Sequence, residues 1–389
     1  MTTTPLILPN GKRPSGSLIS HFSQWISRSG GINLAQGKPG FPPPPELVEH
    51  LRAVSFQPEN HQYAPGNGNT ALLSLLAAHL EKNGETKISR DHLLVVQGAT
   101  EGIFLSLFHL SHVLEGSFSV LAFDPVYESY PRLPDIMGMP FHHFPTQRNG
   151  DVDFNHLHTL VRGENVRIIL LASPGNPLGK IWTRSEINTL LDIMDTTNGW
   201  LIFDAVYSGL YFADPPPDPL SFGYPRMIYV DAFSKRLSIT GWRVGFMAAP
   251  PPIMKELRSV HDFTGLSASS LAQEALVHYL KENDFGSAYT RACAKTCAGN
   301  HAHMSRELEN LGFQVAPATG GYFVWARCPE SNADGYLLAE ALISAGVGVV
   351  PGENFSARYR DHIRLNIATD SATVSEAAGL IRNYMTGER

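Results

Sequence analysis

The feature that most constrains this chain is a repeated junction, in which a short apolar run stops and a polar or glycine-rich stretch follows at once. Leu93–Val96 gives way to Gly98-Ala99-Thr100-Glu101-Gly102, Val120–Phe123 to Asp124-Pro125-Val126-Tyr127, and Arg167–Ala172 to Ser173-Pro174-Gly175-Asn176. Leu201–Phe203 runs into Asp204, Met227–Val230 is followed shortly by Ser234-Lys235, and Val244–Ala248 is a further run of the same kind. Short apolar runs separated by helix-type periodicity read as buried strands of an α/β sheet. Ligands of such sheets bind outside the carboxyl ends of the strands. The polar residues that follow each run are therefore the candidate ligand contacts.

Lys235 is the chemically pointed one. A lysine at the end of a strand in apolar surroundings loses hydration, which disfavours the ammonium and leaves an amine able to attack a carbonyl carbon. Arg243, eight residues later, stays charged and offers a planar fork of donors suited to phosphate. An aldehyde that carries a phosphate is the implied ligand. Taken alone, the pattern also fits a surface lysine at a turn beside a capping arginine.

The partners narrow that choice. Gly98-Ala99-Thr100 feeds a helix whose free amides and dipole favour an anion, and no G-x-G-x-x-G dinucleotide fingerprint is present. Asn176, between prolines, is expected in a fixed turn. Asp204 ends an apolar run where an unpaired carboxylate is costly, so it needs an arginine or a protonated ring nitrogen as partner. Tyr127, just past a strand, can stack on a flat ring; Tyr63, in the loop His61–Asn69, fits packing as well as ligand contact. Thr70 is expected to cap a helix from Ala71 to about Lys82. The segment Ile32–Phe41, with Gly37, reads as a short extended piece, and Pro42–Pro45 as a stiff spacer.

The chain has 389 residues, enough for two domains, and its net charge of −6 is interspersed, with no basic face for nucleic acid and no polybasic membrane patch. Small molecules or a second copy are the expected partners. Met1–Gly16 is polar and contains no long apolar run, so neither signal peptide nor membrane span is expected and the cytoplasm is the default location. Three cysteines, Cys293, Cys297 and Cys328, read as reduced, half-buried fillers; the four-residue spacing of the first two also fits a metal pair, but no histidine cluster accompanies it, and no metal is expected.

After Pro250 amphipathic helices follow, near Pro252–Val260, Ala268–Leu280 and Tyr289–Leu311. A compact α+β part succeeds them, with strands near Gly321–Ala326, Val347–Val350 and Ile363–Ile367 and helices near Tyr336–Ile343 and Ser371–Tyr384. Arg364 sits between Ile363 and Leu365. It either snorkels to the surface or waits for a carboxylate.

In their order along the chain, Gly98-Ala99-Thr100, Asp124-Pro125-Val126-Tyr127, Asn176-Pro177-Leu178-Gly179, Asp204-Ala205-Val206-Tyr207, Ser234-Lys235, Arg243 and Arg364 resemble the class I/II aminotransferases. These enzymes have the aspartate aminotransferase (type I) fold and use pyridoxal 5′-phosphate (PLP). Ser173–Ile181 and Ile253–His261 look most similar to the kynurenine, glutamine and methionine aminotransferase branch. The resemblance implies a large domain with a mainly parallel sheet over residues 46–284, a smaller α+β domain over 285–389, and an N-terminal arm with part of the small domain over 1–45. It implies Lys235 as the PLP lysine and proton carrier, Asp204 on the pyridine nitrogen, Tyr207 and Asn176 on the ring oxygen, and Tyr127 stacked on the ring. Ala99, Thr100, Ser234 and Arg243 are implied to hold the phosphate, with Tyr63 reaching it from a second subunit of a homodimer. Arg364, Gly37 and Asn176 are implied to hold the substrate carboxylate.

Two positions depart from the family's usual pattern, Ala232 in place of a phosphate-binding serine and Ala205 in place of glutamate. Asp262–Ser269, from which aspartate-specific relatives supply a cation across the dimer, contains no arginine or lysine. Neutral or aromatic donors are therefore expected, with Ile19, Tyr127 and Tyr322 in the pocket wall. Cysteine-conjugate β-elimination is the alternative chemistry of the same cofactor. A ligand-sensing domain of a transcription regulator is the alternative from another class, but such regulators carry a basic winged-helix module that is not expected ahead of Ile32.

Overall fold

The computed structural model describes residues 14, 16–83, 87–330 and 333–387. Apart from Pro14 and Gly16, the polar N-terminal stretch discussed above lies outside the described residues. Among the described residues there are thirteen strands: β1 (Ile32–Asn33), β2 (Leu93–Val96), β3 (Ser119–Asp124), β4 (Phe141–Pro145), β5 (Val166–Ala172), β6 (Trp200–Asp204), β7 (Met227–Ala232), β8 (Gly245–Ala248), β9 (Gln314–Val315), β10 (Phe323–Arg327), β11 (Val347–Gly348), β12 (Val350–Pro351) and β13 (His362–Asn366).

Seven of them form one sheet in the order β2-β8-β7-β6-β5-β3-β4. Only β8 runs against the others, pairing antiparallel with β2 and β7, while β7, β6, β5, β3 and β4 are mutually parallel. Alternate side chains of a strand point to opposite faces, and the core follows that rule. Leu121, Ile169, Leu171, Leu201 and Phe203 pack on one face, whereas Val120, Ala122, Ile168, Leu170 and Ile202 pack on the other. Both faces are covered, which is why the runs read as continuously apolar.

A second sheet, β12-β13-β10-β9, is antiparallel, and β1 pairs with β11 in parallel. Its core joins Phe22, Ile26, Leu34 and Ala35 to buried residues from Cys293 to Ile381. Cys293, Cys297 and Cys328 are free and buried in or beside that core rather than half-buried. Burial pushes the Cys328 thiol up to about 12. Among the described residues no helix is long and apolar enough to cross a membrane.

Several local expectations are corrected. Asn69 Oδ1, not Thr70, accepts the amides of Ala71 and Leu72 at the start of the helix Thr70–Asn83. Pro45 is no spacer but the first residue of the helix Pro45–Val54, a position where its missing N–H costs nothing. The run Val347–Val350 is split between two sheets. Strand β4 was illegible because His142 and His143 interrupt its apolar pattern.

Candidate active site

The ends of β3, β5, β6 and β7, together with the start of β8, line one edge of the large sheet. Here Asp204 is the last residue of β6, Asn176 follows β5 by four positions, and Lys235 lies in the short helix Phe233–Arg236 directly after β7. Gly245 opens β8 opposite Ala232 and Val96. A cavity of about 370 Å³ lies at this edge, lined by Ile19, Gly37, Ala99, Thr100, Tyr127, Asn176, Asp204, Tyr207, Ser234, Lys235, Arg243 and Arg364. Every residue that the sequence assigned to cofactor or substrate is among them except Tyr63, and of the expected pocket wall only Tyr322 is missing. Tyr63 is 84 % exposed in the single chain. Tyr322 stands behind the wall, its ring edge-on to Tyr207 at 5.2 Å and its hydroxyl donating to the Gly37 carbonyl at 3.0 Å.

Lys235 Nζ donates to the Gly37 carbonyl at 2.7 Å. Its pKa falls to about 8, first because burial penalises the ammonium and then because the Arg364 and Arg243 guanidiniums repel it; Asp204 opposes this. A neutral amine is thus within reach near physiological pH. Asp204 has no arginine: Tyr130 donates to its Oδ2 at 2.7 Å and the Val206 amide to its Oδ1 at 3.1 Å. Burial raises its pKa to about 6, against the pull of these two bonds. Sequence reasoning missed Tyr130. Its signal was the spacing of three from Tyr127, which the turn into the helix Ser129–Ile136 brings together, the Tyr130 amide donating to the Tyr127 carbonyl at 2.9 Å. Their rings meet edge-on at 6.0 Å.

Arg364 does not snorkel. It is fully buried on β13, between Trp325 of β10 and Val350 of β12, and its guanidinium lies over the Phe323 ring at 4.4 Å and the Phe355 ring at 5.1 Å. Nη1 donates to Asn176 Oδ1 at 3.2 Å and Nη2 to the Ala35 carbonyl, while Nε has no partner. Desolvation lowers its pKa to about 10. A buried cation with only neutral acceptors is under-satisfied, and a carboxylate is its natural complement.

The anion end is built from backbone. Gly98, at φ +85°, turns the chain from β2 into the helix Ala99–Val113, and no side chain caps it, so the amides of Ala99 and Thr100 have no intrahelical acceptor. A side chain on Gly98 would put its Cβ 2.4 Å from Arg243 Nη2. That guanidinium donates to the Gln97 carbonyl and the Thr240 carbonyl, both at 3.1 Å.

Residues 29–381 match the family description "Aminotransferase class I and II". The chain belongs to this family. Among its relatives are a methionine aminotransferase of Escherichia coli, 29 % identical with 98 % of this chain and 100 % of the relative covered, and a probable aspartate aminotransferase of Methanocaldococcus jannaschii, 26 % identical with 92 % and 94 % covered. A solved structure from E. coli described as having a methionine aminotransferase function superposes with a TM-score of 0.86 at 26 % identity, covering 96 % of this chain and 100 % of that one. An aspartate aminotransferase of Thermus thermophilus with maleate, 22 % identical, has a TM-score of 0.87 over 96 % and 97 % of the two chains, a likeness of fold alone.

As a member of the class I and II aminotransferases, the protein is a PLP-dependent transaminase with the aspartate aminotransferase fold. The cavity residues fit that cofactor. An amine with lowered pKa, a buried carboxylate lacking a cation, uncapped helix amides and an arginine fork are the complements of its aldehyde, ring nitrogen and phosphate. Ala232, buried and in the cavity wall, supplies no hydroxyl to that set.

Proposed function

We propose that this aminotransferase exchanges the amino group between an L-amino acid with a neutral or aromatic side chain and a 2-oxo acid, at a site held together by two copies of the chain. Bound PLP supplies an electron sink through its protonated pyridine ring. Lys235 would hold the cofactor through its aldehyde carbon in the resting enzyme and, once the substrate amine has displaced it there, would hold and move the proton at the substrate Cα. Asp204 faces the ring nitrogen, which gives the carboxylate the cationic partner it lacks in the chain alone. Asn176 and Tyr207 hold the ring oxygen, Tyr127 covers the ring face, and Ala99, Thr100, Ser234 and Arg243 grip the phosphate. Arg364, steadied by Asn176, takes the substrate carboxylate beside Gly37, and Ile19 closes the apolar wall.

One observation carries the reading: the buried, under-satisfied guanidinium of Arg364 shares a cavity with the depressed-pKa amine of Lys235. A carboxylate anchor and a carbonyl-reactive amine in one enclosure are what an α-amino acid requires. Residues 46–284 form the large domain in this reading, and 1–45 with 285–389 supply the arm and the small domain. The copies meet where Tyr63 projects; the Gln62 carbonyl accepts from Ser270, which ties its loop to the segment bearing Phe263, 91 % exposed. The location in this reading is the cytoplasm.

The test is a donor screen on purified holoenzyme, with borohydride reduction and mass spectrometry to locate the cofactor. Reduced PLP on Lys235, and methionine, glutamine or aromatic donors at least tenfold better than aspartate by kcat/KM, about 1.4 kcal/mol, are expected. An adduct on another lysine, or aspartate equal to methionine, overturns the reading. Pyruvate from an S-aryl-cysteine in excess of transamination product would assign the site to β-elimination instead.

A further inference from the structure

We propose that Glu128 determines which side chains the enzyme accepts: its carboxylate is an anionic part of the cavity wall that turns away donors with acidic side chains. The inference rests on the aminotransferase reading above and deepens it by naming the residue that sets the donor class.

Glu128 follows Tyr127 and is half-buried. It and Ser129 line the central cavity and also an adjoining cleft of about 1180 Å³ that runs along Ser17, Arg132 and Asn354. Glu128 therefore stands where the two spaces join, on the way out of the central cavity. Its carboxylate is fixed by Ser17, whose hydroxyl donates to Oε1 at 2.9 Å while accepting the amide of Ser20 at 3.2 Å. Ser17 caps the helix Leu18–Ser29, the element that brings Ile19 to the cavity wall.

Among the described residues no lysine or arginine pairs with Glu128. The charge is left to act on the cavity. It reaches the carboxylate-binding end: burial is the main influence on Arg364 and Tyr127, and Glu128 adds a smaller push towards the charged guanidinium and the neutral phenol. Every donor brings one carboxylate to Arg364, so the effect of Glu128 at that end is common to all of them. An acidic donor must bring a second carboxylate into the same enclosure, where like charges in a medium poorer than water repel. Lys38 also lines the cavity, but it is exposed. A hydrated, mobile ammonium at the rim compensates a buried charge poorly.

The experiment compares kcat/KM for methionine and aspartate in holoenzyme carrying Glu128→Gln, Ser17→Ala or Lys38→Ala. Glutamine keeps an acceptor oxygen for Ser17 and nearly the same shape, so it removes charge alone. In Glu128→Gln the aspartate-to-methionine ratio is expected to rise at least tenfold. Ser17→Ala loses the tether but retains the charge, and its ratio should stay within about threefold of wild type. An unchanged ratio in Glu128→Gln overturns the inference. So does an equal shift in Ser17→Ala, which would assign the effect to the helix tether, or a shift in Lys38→Ala alone. Wild-type enzyme that transaminates no neutral donor overturns the parent reading and this inference with it, a result distinct from an active enzyme whose preference ignores Glu128.

Discussion

Tyr130 donates a 2.7 Å hydrogen bond to Asp204 Oδ2, and both groups are buried at the end of β6. The sequence offered an arginine or a protonated ring nitrogen as partner for Asp204, and within the chain the side chain that meets it is this tyrosine. A neutral donor keeps the carboxylate charged less firmly than a cation would, so Asp204 remains ready to accept a cationic partner.

Replacing Tyr130 with Phe removes that donor and leaves one carboxylate oxygen unpaired. The expected cost to the apoprotein near neutral pH is about 1–3 kcal/mol, read by urea denaturation. Asp204 should then be protonated more readily, and kcat should fall with little change in KM. A Tyr130→Phe enzyme with wild-type kcat would show that the hydroxyl does not tune Asp204.

Asp204→Asn should act on the apoprotein in the opposite sense. The folded-state pKa of about 6 lies above the ordinary value of 3.8, so folding disfavours the charged form. The penalty is absent below about pH 4, grows between the two values and is complete above about pH 6. At pH 7 the asparagine variant should therefore be more stable than wild type by at most about 3 kcal/mol, with no such gain at pH 4. Turnover should be abolished. Apoprotein melting curves at the two pH values check the sign.

For Lys235 the expectation concerns reactivity. With its pKa at about 8 instead of 10.5, the amine becomes predominantly neutral above pH 8. Acylation of Lys235 in the apoprotein, followed by peptide mass spectrometry, should rise with a midpoint near that pH, while exposed lysines lag by about two units. Arg364→Gln removes the larger of the two repelling cations and should move the midpoint upward. A midpoint that stayed put would remove Arg364 from the causes and leave burial and Arg243.

How far the sequence foretold this site follows from what each residue needs. Lys235, Asp204 and Asn176 were legible because each closes or closely follows an apolar run, and a parallel sheet brings run ends to one edge whatever the loops do. Arg364 was legible only as an oddity, a charge among Ile363 and Leu365, and its burial depends on β10 and β12, which are distant in sequence. Tyr130 and Glu128 carried little local signal, for a tyrosine or glutamate in a short helix is ordinary until the fold sets it against Asp204 or Ser17. The strand β4 and the helix Leu18–Ser29 went unread because one is interrupted by histidines and the other leads into a glycine-rich loop.

The phosphate end offers a pair of substitutions with opposite expected signs. Gly98→Ala places a Cβ against Arg243 Nη2 and requires a residue other than glycine at φ +85°, so the guanidinium must move from the Gln97 carbonyl. Losing one charge-assisted hydrogen bond, about 1.5–3 kcal/mol, should speed PLP loss by tenfold or more. If the effect runs through Arg243, adding Gly98→Ala to Arg243→Ala should change PLP loss little further. Ala232→Ser works the other way. The position is buried and lines the cavity, so a hydroxyl there can donate to the phosphate when PLP is bound but goes unpaired in the apoprotein. PLP release should slow while apoprotein stability falls by about 1–3 kcal/mol. Dialysis against a carbonyl reagent, followed by cofactor absorbance, measures the first, and urea denaturation of the apoprotein measures the second. A serine variant that released PLP as fast as wild type would show that position 232 does not face the phosphate.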